Sequence, residues 1–284
     1  MIIKHLVLSG GGHHGVKQLG AIFKAQETLF KRSDIETVYG TSIGSVVLAL
    51  WLMDVSKDTV YDFVINKPWE KAYALDPNII SRLIGEKGAL DENIIIEILS
   101  PIIRSKLLNI DITLKQLYDI TNIDFHIIAT ELNTLTHIDL SHISHPDLRL
   151  IDAVYMSSSI PFIFKPRYYN GTYVLDGGLS THFPIELCIE NGANPDNILG
   201  IKIHRCKSKD SDETTPLSEY TLHLLNNMCL KIYGTIAIEI PYLISLESGT
   251  DTDGLLSVIS DPLSRIKLWK DGEDSCDQLQ NRLD

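Results

Sequence analysis

Thr37-Val38-Tyr39-Gly40-Thr41-Ser42-Ile43-Gly44-Ser45-Val46-Val47-Leu48-Ala49-Leu50-Trp51-Leu52-Met53 is the stretch whose reading decides the fold. Thr37 to Tyr39 predicts a short strand, and Ile43 to Met53, apolar almost throughout, predicts a buried helix. Between them Gly40-Thr41-Ser42-Ile43-Gly44 fits the pattern Gly-x-Ser-x-Gly. A nucleophile on a sharp strand-to-helix turn needs small neighbours, because the tight backbone leaves no room for larger ones. The serine then sits at a helix N-terminus, whose partial positive charge favours a developing alkoxide or oxyanion. Glycine and serine are common residues, so these five alone do not establish a nucleophile.

Towards the N-terminus, Ile2 to Leu8 is an apolar run that ends in glycines and predicts a buried strand. Val16 to Lys31 carries Leu19, Ile22, Phe23 and Leu29 at near-helical spacing. Two strand–turn–helix units in succession point to a parallel sheet with covering helices. The connecting loop, Gly10-Gly11-Gly12-His13-His14-Gly15, presents backbone N–H groups to an anion, either a tetrahedral oxyanion or a phosphate. The same six residues also satisfy Gly-x-Gly-x-x-Gly, so a dinucleotide-binding oxidoreductase is a rival reading. That rival wants an acidic residue at the end of the following strand. Asp34 and Glu36 instead precede the strand, which runs into the serine turn.

Towards the C-terminus, Val55 to Thr121 reads as mainly helical, punctuated by Pro68, Pro77 and Pro101. Phe125 to Thr130 predicts a strand with His137 to Leu140 as its neighbour, and Leu150 to Ser157 a helix. Thr172 to Leu175 predicts a strand running into Asp176-Gly177-Gly178. Asp-Gly is a common turn pair, so taken alone this block reads as a turn. Pro184 to Glu190 predicts a helix and Ile198 to Ile203 a strand. Residues 205–219, polar and charged, predict a flexible loop. Leu217 to Leu246 reads as helical up to Pro241, and Asp261 to Leu283 as a short helix, a break at Gly272 and a polar end. With no repeat and no linker, the expectation is one domain over 1–284, with 220–284 as its helical C-terminal extension.

A net charge of −12 over 284 residues argues against nucleic acid, which needs clustered Lys and Arg. It also argues against tight electrostatic docking on anionic membranes. The four cysteines, Cys188, Cys206, Cys229 and Cys276, form no CxxC pair, and a reducing compartment is the simpler reading. Met1 to Leu8 is too short for a signal h-region. Ile232 to Leu246, interrupted by Glu239 and Pro241, is too short to span a bilayer. The expectation is a soluble cytoplasmic protein, peripheral to membranes where it meets them. Among the histidines, His13 and His14 flank the glycine loop, His182 lies near Asp176 and His204 ends a strand; no motif marks any as a base. His13-His14 makes no convincing metal site, since adjacent side chains point apart and no third ligand is suitably spaced.

Taken in order, Gly10–Gly15, Gly40–Gly44 and Asp176-Gly177-Gly178 resemble the patatin-like phospholipase family. Ala153 to Pro166, with Ser157-Ser158-Ser159-Ile160-Pro161 and Phe164-Lys165-Pro166, is similar to the family's helix and Pro-bearing loop before the aspartate strand. Thr130-Glu131-Leu132-Asn133-Thr134 and Leu179 to Pro184 are similar too. The resemblance implies a three-layer α/β/α fold with a central, mostly parallel sheet, related to α/β-hydrolase architecture. It implies a calcium-independent lipid acyl hydrolase of phospholipase A or lysophospholipase type, acting on a phospholipid or other acyl lipid without a cofactor or metal. Ser42 would be the nucleophile and Asp176 its base. Gly10, Gly11, Gly12, His13, His14, Gly15 and Ile43 would form the oxyanion and substrate region, with Gly40, Gly44, Gly177 and Gly178 shaping the turns.

His14 stands where the family commonly carries Arg or Lys, which leads to an expectation of pH-sensitive activity in the mildly acidic range. An acyltransferase would use the same Ser42 and Asp176, and an inert lipid-binding protein would leave them idle. Ile94 to Ile103 and Ile232 to Leu246 could line an acyl channel or touch a membrane, although such spacing is ordinary for core. A protein partner or activator stays open, since members of the family are sometimes latent until a partner binds.

Overall fold

The computed structural model describes residues 2–73, 79–204, 212–215, 220–221, 223–225, 227–228, 238–248 and 253–283. Its centre is a mixed sheet in the order β10-β9-β1-β2-β4-β8-β7, with β5 paired to β4. These strands are β1 (His5–Leu8), β2 (Thr37–Thr41), β4 (Asp124–Glu131), β5 (His137–Leu140), β7 (Arg167–Tyr169), β8 (Thr172–Asp176), β9 (Ile198–His204) and β10 (Tyr242–Glu247). A separate two-stranded sheet joins β3 (Gly88–Leu90) to β6 (Phe162–Phe164). Strands β10, β9, β1, β2 and β4 run parallel, whereas β5 and β8 run antiparallel to β4.

Side chains alternate across the sheet, and both faces are covered. Leu6, Leu8 and Val38 enter the main apolar core, while Val7 and Tyr39 enter a smaller one on the opposite face. The main core is roofed by helices α1 (Gly15–Thr28), α2 (Ile43–Leu52), α3 (Lys57–Asn66), α6 (Asn93–Ser105), α8 (Leu150–Ser157) and a long C-terminal helix. The short helices α4 (Trp69–Ala72), α5 (Ile79–Glu86) and α7 (Leu114–Thr121) join these elements, and α9 (Ile185–Glu190) covers the second face. This is the α/β/α arrangement expected from the sequence. Helix α2 is buried nearly all round, as its composition requires. Its C-terminal carbonyls at Trp51 and Leu52 accept from the Arg32 guanidinium, each at 2.8 Å.

Three expectations are corrected. Pro101 does not end a helix but sits inside α6. Its missing N–H orphans the Glu97 carbonyl one turn back, and the Lys67 ammonium donates to that oxygen at 2.6 Å. Much of the stretch read as helical up to Pro241 lies outside the described residues. Tyr242–Glu247 within the expected helical extension is a strand, paired in parallel with β9 from Leu199 to His204. Third, Gly272 breaks nothing: α10 (Asp253–Ser260) is followed by α11 (Pro262–Leu283), continuous through Gly272. The polar loop expected at 205–219 falls mostly outside the described residues.

Gly272 is where α11 meets α1. A Cβ there would stand 1.9 Å from the Lys17 carbonyl oxygen, and a Cβ on Gly20 would stand 2.0 Å from the Trp269 carbonyl oxygen. Each helix lacks a side chain where the other's backbone passes. Gly272→Ala must therefore force the pair apart, at a cost of about 1–3 kcal/mol for overpacking. Urea unfolding should show the midpoint falling with an unchanged slope; an unchanged midpoint would contradict the contact.

Candidate active site

Strand β4 brings the two functional segments together. Thr41, the last residue of β2, pairs with Ile128. Asp176, the last residue of the oppositely directed β8, pairs with Ala129, the next residue along. Two strands therefore end against neighbouring positions of a third, and the residues at their tips face each other. The Ser42 hydroxyl donates to Asp176 Oδ2 at 2.5 Å, and both side chains are buried. The other carboxylate oxygen, Oδ1, accepts from the Gly178 N–H at 2.7 Å.

Ser42 is held in an unfavourable conformation, with φ 53° and ψ −127°. A serine pays for that left-handed φ, and such strain persists only where surroundings over-determine it. Here they do. The Ser42 N–H donates to Ser157 Oγ at 2.9 Å, and Ser157 Oγ donates to the Ile128 carbonyl at 2.6 Å. Ser45 Oγ donates to the Ser42 carbonyl at 2.6 Å. The tightness explains the glycines: a Cβ on Gly44 would stand 2.6 Å from the Ser9 carbonyl oxygen, and one on Gly177 2.1 Å from that of Ile128. Gly40 lies in β2 just before the elbow, and Gly178 follows Gly177 in the turn after Asp176.

The glycine loop lies over the serine. The point where a Gly10 Cβ would stand is 3.5 Å from Ser42 Cβ, and one on Gly15 would meet the Ile43 side chain at 2.2 Å. The Gly10 N–H donates to the His182 carbonyl at 2.9 Å, and His182 Nε2 lies 2.9 Å from the Ile203 carbonyl, to which it donates when protonated. Beneath the loop, Ser9 Oγ accepts from the Ile203 N–H and Gln18 Nε2 donates to the Ser9 carbonyl, both at 2.8 Å. Among the described residues, the N–H groups of Gly11, Gly12 and Ile43 meet no acceptor. Glu36 pairs with Lys4 ahead of β2, away from this loop, which leaves the dinucleotide reading without its acidic residue.

The His13 and His14 rings lie against each other beside the loop, tilted by 36° with centroids 3.9 Å apart. Burial, helped by neighbouring His14 and Lys17, holds His13 at about 4, below its ordinary value of 6.5. Burial also lowers His14, partly offset by its bond to the Gly11 carbonyl. A change of charge at His14 is therefore displaced to lower pH than that of a free imidazole.

Ser157, Ser159, Thr130, Ser9 and Gln18 support the site and were not singled out by sequence reasoning. Ser159 accepts the Asp176 N–H at its carbonyl, and Thr130 Oγ1 donates to the Asp176 carbonyl. Ser157 and Ser159 were visible only as part of a block resembling the family. Among the described residues, no group of three or more His, Cys, Asp or Glu could hold a metal ion.

The sequence matches the description "Patatin-like phospholipase" over residues 6–189. The chain belongs to that family. It is similar to Probable lipid hydrolase 463L of Invertebrate iridescent virus 6, at 28% identity over 193 residues, covering 66% of this chain and 63% of that protein. It is also similar to Uncharacterized protein R571 of Acanthamoeba polyphaga mimivirus, at 27% identity, covering 65% and 61%. The chain thus spans less than two thirds of the length of either relative. Two solved structures share this fold. VipD from Legionella pneumophila superposes with TM-score 0.55 at 15% identity, covering 99% of this chain and 67% of that one. The type III effector ExoU superposes with TM-score 0.50 at 14% identity, covering 99% and 53%.

On the sheet face that carries Tyr39, the patatin-like core includes a charged cluster away from the dyad. His126 stacks on Tyr39 and sits between Asp139, 2.7 Å from Nδ1, and Asp124, 3.2 Å from Nε2. Burial opposes charging of His126, but the two carboxylates outweigh it and hold the ring at about 9. His126 therefore favours the native state fully below pH 6.5, and that contribution disappears as pH rises through about 9. His13, lowered, acts oppositely: the unfolded chain takes up the proton first, so stability declines as pH falls from 6.5 towards 4. Melting temperature against pH should show the alkaline decline shrink in His126→Gln and the acid decline shrink in His13→Gln. Unaltered limbs would refute these assignments.

Proposed function

We propose that the chain is a lipid acyl hydrolase of phospholipase A or lysophospholipase type, working through Ser42 and Asp176. The observation that carries this reading is the 2.5 Å bond between their side chains, with the serine strained on its elbow. Ser42 Oγ attacks the carbonyl carbon of an acyl ester while its proton passes to Asp176 Oδ2. The resulting oxyanion is met by the N–H groups of Gly11, Gly12 and Ile43, which meet no acceptor among the described residues. One such donor is typically worth ~2.7–4 kcal/mol at the transition state. Collapse breaks the ester bond, and Asp176 returns the proton to the departing alcohol. Water then attacks the acyl-serine and gives its proton to Asp176. The fatty acid leaves as that proton returns to Ser42 Oγ.

Asp176 is a suitable acceptor because its position is fixed. Its backbone is held at the N–H and carbonyl, and Oδ1 is occupied by Gly178, so Oδ2 is the oxygen presented to Ser42. Ser157 acts through Ser42, steadying the elbow against β4. No step passes through a metal, and calcium independence belongs to this proposal.

Fatty-acid release from mixed phospholipid micelles, with chelator present, tests the reading. Wild type should release fatty acid, Ser42→Ala should release none, and Asp176→Asn should lose ~10²–10⁴-fold, the usual weight of a general base. Equal release by wild type and Ser42→Ala would remove Ser42 from the mechanism. Adding an alcohol acceptor separates hydrolysis from acyl transfer, since a transferase would yield a new ester in place of free acid.

A further inference from the structure

Phe162 is costly twice over. Its φ of 69° lies in the left-handed region, which a bulky side chain rarely adopts, and the residue is 60% exposed. Neither cost returns anything to folding, because an exposed ring forgoes most of the burial that could offset the strain. The surrounding backbone nevertheless enforces the arrangement. Phe162 pairs with Gly88 in the small β3–β6 sheet, and a Cβ on Gly88 would stand 2.2 Å from the Lys165 nitrogen. The Lys165 N–H closes the sheet onto the Leu90 carbonyl at 2.8 Å.

This turn follows closely along the chain from the residues that hold Ser42 and Asp176. Phe162 follows by three residues Ser159, whose carbonyl holds Asp176, and by five Ser157, whose hydroxyl holds Ser42. One helical turn before Gly88, on α5, Ile84 is 80% exposed. Between and beside these two apolar residues the charges carry both signs. Lys165 pairs with Glu86 at 3.2 Å, Arg82 with Asp91 at 2.9 Å, and the Lys87 ammonium lies over the Tyr173 ring.

We propose that Phe162 and Ile84 form an apolar prong that seats the β3–β6 end of the molecule on a zwitterionic lipid surface. The proposal rests on the lipid-hydrolase reading for its substrate but concerns binding, which needs no turnover. The chemistry selects the surface: mixed charges around an apolar tip suit headgroups that carry both signs, whereas a chain at −12 is repelled by an anionic leaflet. Strain at Phe162 is retained because a flat, buried turn would withdraw the ring from the interface. Aromatic rings seat well at the boundary between headgroup and acyl chain.

Co-sedimentation of the full chain carrying Ser42→Ala with phosphatidylcholine vesicles measures binding free of hydrolysis. The expected result is partitioning that barely responds to added salt and weakens when phosphatidylserine is mixed in. Adding Phe162→Gly should lower partitioning about tenfold, the scale of losing one buried aromatic. Phe162→Trp should retain it, and Ile84→Ser should lower it by a similar factor. Glycine relieves the left-handed backbone, so the melting temperature of Phe162→Gly should hold or rise, which separates lost docking from lost folding. With Ser42 intact, Phe162→Gly should cleave a soluble short-chain ester as well as wild type does. The proposal is overturned by equal partitioning of Phe162→Gly and its parent, by absence of binding to phosphatidylcholine, or by binding only to anionic vesicles. Failure of the lipid-hydrolase reading would appear separately, as no fatty-acid release by wild type in micelles.

Discussion

Along one edge of β4, two strands arrive from opposite directions and stop at adjacent residues, Ile128 and Ala129. What matters at the dyad follows from that meeting. A parallel strand delivers the serine at its C-terminal end, where helix α2 begins. An antiparallel strand delivers the aspartate at its own C-terminal end, pointing back. Had β8 run parallel to β4, its C-terminal end would have pointed the same way as that of β2, and the tips would not have met head-on. The register is fixed by backbone hydrogen bonds, so the side chains meet without a flexible loop carrying either one.

The rest of the local architecture compensates for that convergence. Bringing two strand ends, a helix start and a glycine loop within bonding distance of one another leaves no space for Cβ atoms at Gly44 or Gly177. Serine and threonine hydroxyls tie the converging backbone together: Ser157 bonds the Ile128 carbonyl, Ser45 the Ser42 carbonyl, Ser9 the Ile203 N–H and Thr130 the Asp176 carbonyl. Those hydroxyls are buried, where an unmet polar group is costly, so the network rigidifies the elbow as well as satisfying it.

Much of this was legible in the sequence, and the reasons are local. Strand–glycine–helix punctuation at Leu8–Val16 and Tyr39–Ile43 carries its own signal, because turn chemistry and apolar runs adjoin. Asp176 was legible only through the order of three motifs, since an Asp-Gly pair taken singly looks like any turn. The supporting serines carried no signal of their role, being ordinary residues whose partners lie far away in sequence; Ser157 and Ser42 are separated by 115 positions. Tyr242–Glu247 was misread because a short apolar run does not reveal whether it is strand or helix, and its partner β9 is distant. Pro101 and Gly272 were read by intrinsic propensity, which a Lys67 ammonium and a close helix crossing override. Strands β3, β6 and β7, three residues each, are too short for alternation to register.

The seam between α1 and α11 bears on the order in which the molecule assembles. Helix α1 continues directly from the glycine loop, yet its backing comes from residues synthesised far later; the Lys17 ammonium alone reaches the Glu247 carbonyl across 230 positions. Closing a loop of that length costs entropy before any contact repays it, and contacts so remote in sequence slow folding. The glycine loop is made before α11, so the packing behind its helix is completed only when that later segment is present.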